Sequence, residues 1–169
     1  MPTIVNPMDA LKTFEPALKR GELEVEPGRL DSSLIVHHDR PNGEMRITYA
    51  MMNGSTVSAL AIIIPAERYE GLPVFQIGYA VPQHLRKRGL AKSIAQSAMN
   101  EFTAGMAGAG IKHFFFEAIV GLKNIGSQKV AAHVIGGDPK EITDKASGEA
   151  ALQYFMEVGS GENRPPMRP

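Results

Sequence analysis

The chain has 169 residues, enough for one domain with a core of its own. Lys+Arg and Asp+Glu are equal at 18 each, so the overall charge calls for neither a polyanionic partner nor a charged membrane surface. There is no cysteine, which excludes a disulfide framework, a thiolate metal site and a catalytic thiol; with no signal peptide and no apolar run near about 18 residues, a cytoplasmic setting is expected.

Asn6-Pro7 predicts a helix start, Asn as cap and Pro in the first turn, with Met8, Leu11 and Phe14 along one side. Pro16 is expected to break or restart this helix and Gly21 to end it. Residues 22–33 are mixed, with a turn at Pro27-Gly28. Three strands follow, at 33–39, 44–52 and 56–64, separated by the hairpin signals Asn42-Gly43 and Asn53-Gly54. Residues 65–73 read as a polar loop. Phe75, Ile77, Tyr79 and Val81 then alternate with smaller or polar residues, and Pro82 stops this strand.

From residue 89 a helix is predicted, with Leu90, Ile94, Ala98 and Phe102 on one face and Gly105, Gly108 and Gly110 to fray and end it. The strand at 113–120, with three consecutive Phe, is reached through that crossover helix, so it should run parallel to its neighbour and be covered on both faces. Residues 124–135 read as a helix stopped by Gly136-Gly137-Asp138-Pro139. A last pair of strands at 141–143 and 151–158 flanks Ser147-Gly148. The expected organisation is one domain over 1–159 and a tail over 160–169.

Between the strand ending at Pro82 and the next helix lies Gln83-His84-Leu85-Arg86-Lys87-Arg88-Gly89. A helix start has free N–H groups and the positive end of a dipole, Gly89 allows close approach, and three cations add charge, so the stretch suits a phosphate. A plain basic cap or a nucleic-acid patch would look the same. Glu117 is a carboxylate inside an apolar strand, where burial raises its pKa toward the range of a general base; the alternative is a structural acid paired with Arg, Lys or Tyr. Asp144, Glu149 and His37-His38 are further candidate bases. Tyr79 and Tyr154 either line an amine pocket or pack as core aromatics. His133 points away from the Ser127 face and should be solvated. No His, Asp and Glu set has metal-ligand spacing.

Arg86-x-x-Gly89-x-Ala91, preceded by Gly78-Tyr79-Ala80-Val81-Pro82, resembles the cofactor segment of the GNAT superfamily of acyl-CoA N-acyltransferases. Asn124-x-x-Ser127 with the later Gly136 resembles a second segment of that family, especially in the branch that acetylates protein N-termini, ribosomal proteins included. The resemblance covers residues 44–158. It implies an α/β (α+β) fold with a mixed, mostly antiparallel central sheet of six to seven strands and helices on both faces. The family's first strand would fall at 2–5, and 22–33 offers only a poor second helix.

By the same resemblance, acetyl-CoA is the cofactor and the acetyl group passes by direct attack, in a ternary complex, to a primary amine on a small molecule or a protein. Tyr79, Ala80 and Val81 would lie along the pantetheine, with the backbone N–H groups of Ala80 and Val81 facing it and the carbonyl. Arg86, Lys87, Arg88, Gly89, Leu90 and Ala91 would surround the pyrophosphate. Asn124 would sit beside the pantetheine and Ser127 near the sulfur. Many members carry an acidic Tyr where Ala131 stands, so Ser127 takes the proton-donor role. Many carry a basic Glu where Gln76 stands, and Gln76 cannot be a base; Glu117 is the catalytic candidate in its place, beside Asp144, Glu149, His37-His38 and a water chain to bulk solvent. A non-catalytic acyl-CoA-binding module and a toxin-type acyltransferase acting on charged tRNA are the alternatives; the neutral charge and single basic cluster weigh against nucleic acid. No membrane partner is expected, and a homodimer stays open.

Overall fold

In the computed structural model the described residues are 6–159; the strand expected at 2–5 and the tail expected at 160–169 lie outside them. Helix α1 (Pro7–Lys19) leads through β1 (Glu26–Pro27) and β2 (Leu34–Asp39) into β3 (Arg46–Asn53), β4 (Thr56–Tyr69) and β5 (Leu72–Ala80). Then follow α2 (Leu90–Gly108), β6 (Phe114–Gly121), α3 (Ile125–Val134), β7 (Lys140–Thr143) and β8 (Ala150–Val158). The described strands form one sheet of eight, in the order β1-β2-β3-β4-β5-β6-β8-β7, rather than six to seven. Every ladder is antiparallel except β5–β6, the pair joined by the α2 crossover.

Strand alternation sorts the core into two layers. Ala59, Ala61, Ile63, Phe75, Ile77, Phe114, Phe116 and Ala118 face α2 and α3, where they meet Ile94, Ala98, Phe102, Val130 and Ala131. Phe102 packs edge-on against Phe75 and Phe114 with ring centroids 4.6 and 5.8 Å apart, a geometry that adds to area burial. Leu60, Ile62 and Ala80 face the other way, against Leu11 and Phe14 of α1. On this side α1 lies mainly over β4 and β5, with Phe14 reaching His37 of β2. Helices thus lie on both faces, but the β6–β8–β7 part has none on the α1 side among the described residues.

Three local expectations are corrected. Pro16 does not break α1, which runs as one helix to Lys19 and ends with Arg20 N–H on the Pro16 carbonyl; burial of Leu11 and Phe14 outweighs the one missing backbone bond. Residues 65–73 are not a loop. Strand β4 continues through Pro65 to Tyr69 and turns at Glu70-Gly71, both at positive φ (50° and 77°), straight into β5. The β3–β4 ladder ends at Ile47–Ile63, so Pro65 sits where β4 has no partner on its β3 side and a proline is tolerated. Residues 22–33 form no helix; they hold β1 and a turn pinned to α2.

Candidate active site

The β5–β6 ladder has only three pairs: Val74–Phe115, Phe75–Phe116 and Gln76–Glu117. Beyond Gln76, β5 stays with β4, through Ile77–Ile63 to Ala80–Leu60, while β6 stays with β8 as far as Gly121–Ala151. The two strands part into a wedge, and residues 77–80 have no ladder partner on the β6 side. Ala80 is buried toward α1 and Val81 toward α2, so the backbone at this edge is presented by a packed strand end.

The first turn of α3 stands beside the wedge. Asn124 caps it, its Oδ1 accepting from Ser127 N–H at 3.1 Å. The Tyr79 hydroxyl reaches across from β5 and donates to the Ser127 carbonyl at 2.7 Å. Burial, reinforced by Tyr154, pushes the Tyr79 hydroxyl well above the ordinary tyrosine value, so it stays a neutral donor. Ser127 is thereby held by its own N–H and C=O with its side chain half-buried at the wedge, while Ala131 one turn later is fully buried.

The loop before α2 has the form of an anion cradle. Gly89, at φ +76°, precedes the first helical residue and offers no side-chain cap, so the N–H groups of the first turn have no partner within the helix. Lys87 also takes a left-handed φ of 64°, rare for a residue with a side chain and suited to curling successive amides to one side. A Cβ built on Gly89 meets nothing within 4 Å: the space in front of it is open. Lys87 and Arg88 are exposed, and Leu90 and Ala91 anchor the helix start on the core. Arg86 behaves differently from its neighbours: its guanidinium turns back to the Val81 carbonyl (3.4 Å) and the Met8 sulfur (3.7 Å), bracing the loop against β5 and α1.

Glu117 lies at the apex of the wedge but on the opposite, α1-side face, 9% exposed at the floor of a pocket of about 530 Å³. Among the described residues it is not paired with Arg, Lys or Tyr. Gln153 donates to its Oε2 at 2.6 Å and Gln76 to its Oε1 at 3.4 Å. Burial holds its carboxyl above the ordinary carboxylate value, and the two amides only partly oppose that. Ile64, Ile119 and Ile142 give the pocket apolar walls; Glu67, Asp144 and Lys145 stand at its edge. Asp144 accepts from Ala146 N–H and the Ser147 hydroxyl, so it also ties the β7–β8 turn.

Several candidates fall elsewhere. Tyr79 and Tyr154 do not line this pocket, because strand alternation puts both on the α2–α3 side. His37 and His38 sit on β2, bound to the Glu24 carbonyl and the Glu26 carboxylate. Glu149 belongs to the β7–β8 turn and His133 is exposed on α3. Gln153 and Lys145 were not singled out by the sequence. The signal for Gln153 was an amide inside an otherwise apolar strand; Lys145 carried none, since only the folded hairpin brings it to the pocket edge.

A sheet opened between its two parallel strands, with an uncapped helix start beside the opening, is the GNAT acetyltransferase architecture, and the fold of this chain is that one. Solved structures sharing it include RimL, a ribosomal L7/L12 alpha-N-protein acetyltransferase in complex with coenzyme A, at 13% identity and TM-score 0.52, covering 67% of this chain and 62% of that one. Mycobacterium smegmatis RimJ in complex with CoA-disulfide matches at 18% identity and TM-score 0.52, over 69% of this chain and 54% of that chain. A GNAT-family acetyltransferase from Streptococcus pneumoniae matches along most of both, 92% and 96%, at 13% identity and TM-score 0.51. This chain therefore spans less than two thirds of RimL and RimJ. No family model and no curated protein matches the sequence.

Proposed function

We propose that the protein is an acyl-CoA-dependent N-acetyltransferase that moves an acetyl group from acetyl-CoA to a primary amine. The observation that carries this reading is the wedge itself: an opened β5–β6 pair with an uncapped, cation-flanked helix start on one face and a buried carboxylate at its apex on the other. The residues present fit the nucleotide. The amides around Gly89, with Lys87 and Arg88, would hold the pyrophosphate, and the free β6-side backbone of residues 77–80 with Asn124 would take the pantetheine. Two structural neighbours, RimL and RimJ, are complexes with coenzyme A or its disulfide.

Acetyl-CoA supplies an acyl thioester. An amine entering from the α1 side would meet it at the apex, where Glu117 can accept the ammonium proton before or as the C–N bond forms. As the C–S bond breaks the nitrogen would lose its second proton, and the Ser127 hydroxyl would give a proton to the departing thiolate and recover that one through solvent, so that CoA leaves as the thiol. Gln76 and Gln153 aim the Glu117 carboxylate. The finer assignments, acceptor class and cytoplasmic location, belong to the same proposal; among the described residues no helix is long and apolar enough to cross a membrane.

Gly89→Glu tests the nucleotide site, because it puts a negative side chain where the pyrophosphate would lie, at a left-handed φ on an exposed loop. Calorimetry should show CoA affinity falling at least about tenfold with the far-UV spectrum retained. Unchanged affinity overturns the cofactor assignment. Release of free thiol from acetyl-CoA only when an amine is added separates a transferase from a non-catalytic binding module.

A further inference from the structure

We infer that the acceptor is an aliphatic monoamine, with no polar group besides the amine itself. The inference rests on the transferase reading and concerns its acceptor side. Register puts Ile64, Gln76 and Glu117 in one row across the sheet. Ile119 stands on the same face of β6, about 7 Å further along, and pairs with Gln153. Among the described residues none of α1 lines the pocket over these rows; residues 143–146 do. Strands β5, β6 and β8 separate β4 from β7, yet Lys145 comes within 4.0 Å of Glu67 on β4. The turn after β7 therefore arches across the sheet and makes the pocket a recess rather than an open face.

Polar side chains are confined to the floor and the rim of this recess. On the floor, Glu117 is flanked by Gln76 and Gln153, each with an amide N–H on the carboxylate. That set receives one amine. Between floor and rim the walls are hydrocarbon, from Ile64, Pro65, Ala66, Ile119 and Ile142. A hydroxyl or a second ammonium held at that level gives up water and gains no side-chain partner, which weakens binding. A methylene at the same level gains by leaving water.

The rim gives a second charge little hold. Glu67 and Lys145 have side chains 83% and 74% exposed and offset one another. Asp144 uses both oxygens in its own turn, on Ala146 N–H and the Ser147 hydroxyl. Its charge remains, and draws a cation toward the mouth. Seating a second ammonium takes a desolvated carboxylate or an aromatic cage, and among the described residues no aromatic ring lines the pocket.

Acetyl transfer to ethylamine, propylamine, butylamine and pentylamine tests this, since their amines are nearly equal in basicity. The expected result is a kcat/KM rising about threefold to fourfold per methylene. The amino alcohol 3-amino-1-propanol, equal in size to butylamine, should be slower by about tenfold or more at the same concentration of free amine. Ile142→Ala and Ile119→Ala, which widen the recess from two different strands, should each shrink the gain per methylene with CoA affinity by calorimetry retained. A flat series, an amino alcohol as fast as butylamine, or 1,4-diaminobutane faster per amino group than pentylamine overturns the inference and leaves the transferase reading standing. So does a gain per methylene that neither variant alters. No transfer to any amine, with CoA still bound, overturns both.

Discussion

A buried carboxylate between two amides is costly to ionise, and Glu117 is such a group. Its nearest partners, Gln153 and Gln76, donate hydrogen bonds but carry no charge, so they soften the desolvation without cancelling it. The folded-state pKa is therefore raised above 4.5. Two consequences follow, with opposite signs. The base form appears only as pH climbs through that raised value, so kcat/KM should rise with pH on a limb displaced above the ordinary carboxylate range. Stability runs opposite: the protonated group is the form the fold prefers, so wild type loses stability as pH rises past the unfolded value. Glu117→Gln should remove the displaced limb, lower kcat about 10²-fold or more, and lose less stability than wild type between mildly acidic and neutral pH. A variant keeping wild-type rate and profile would reduce Glu117 to a structural acid.

At the scale of elements, the first turn of α3 is fixed by two neighbours that lie far apart in sequence. Asn124 holds the Ser127 amide from inside the turn, and Tyr79 holds the Ser127 carbonyl from β5. Ser127→Ala leaves both bonds in place, since neither uses the side chain, so the helix should persist. If the hydroxyl serves the leaving thiolate, kcat should fall on the order of 10²-fold with CoA affinity by calorimetry little changed; lost affinity at normal kcat would make it a cofactor contact instead. The helix from 124, the basic loop with Gly89 before α2 and the period-2 run at 75–81 were legible because local chemistry dictates them. The extension of β4 through Pro65 was hidden, because the edge that tolerates a proline exists only once β3 is seen to end early. The Glu70-Gly71 turn lacked an Asn or Asp to announce it. The facing of Tyr79 and Tyr154 followed from alternation, but which face holds the acceptor pocket depends on where α1 packs, and that is a tertiary fact.

Across the whole molecule, the wedge occupies one end of α2 and a structural clamp the other. Glu101, 6% exposed, accepts the backbone N–H groups of Arg29 (2.7 Å), Leu30 (2.7 Å) and Asp31 (2.8 Å), fastening the turn between β1 and β2 to the central helix. Gly28 is required beside it: a Cβ there would lie 2.2 Å from the Asp31 carbonyl oxygen and 3.0 Å from Glu101 Oε1. Glu101→Ala strands three amides against the helix, each costing about 1–3 kcal/mol if water cannot reach it. Partial hydration of the turn brings the expected loss to about 2–4 kcal/mol, a fall in Tm of roughly 5–15 °C for a chain of this size. Glu101→Gln retains one acceptor oxygen and should fall between. Twelve residues separate Glu101 from Gly89, about 18 Å along a helix, so CoA affinity measured well below the melting transition should match wild type in both variants. A loss of affinity at low temperature, with the helix content intact, would mean that the clamp sets the position of the α2 start and that the two ends of the molecule are coupled.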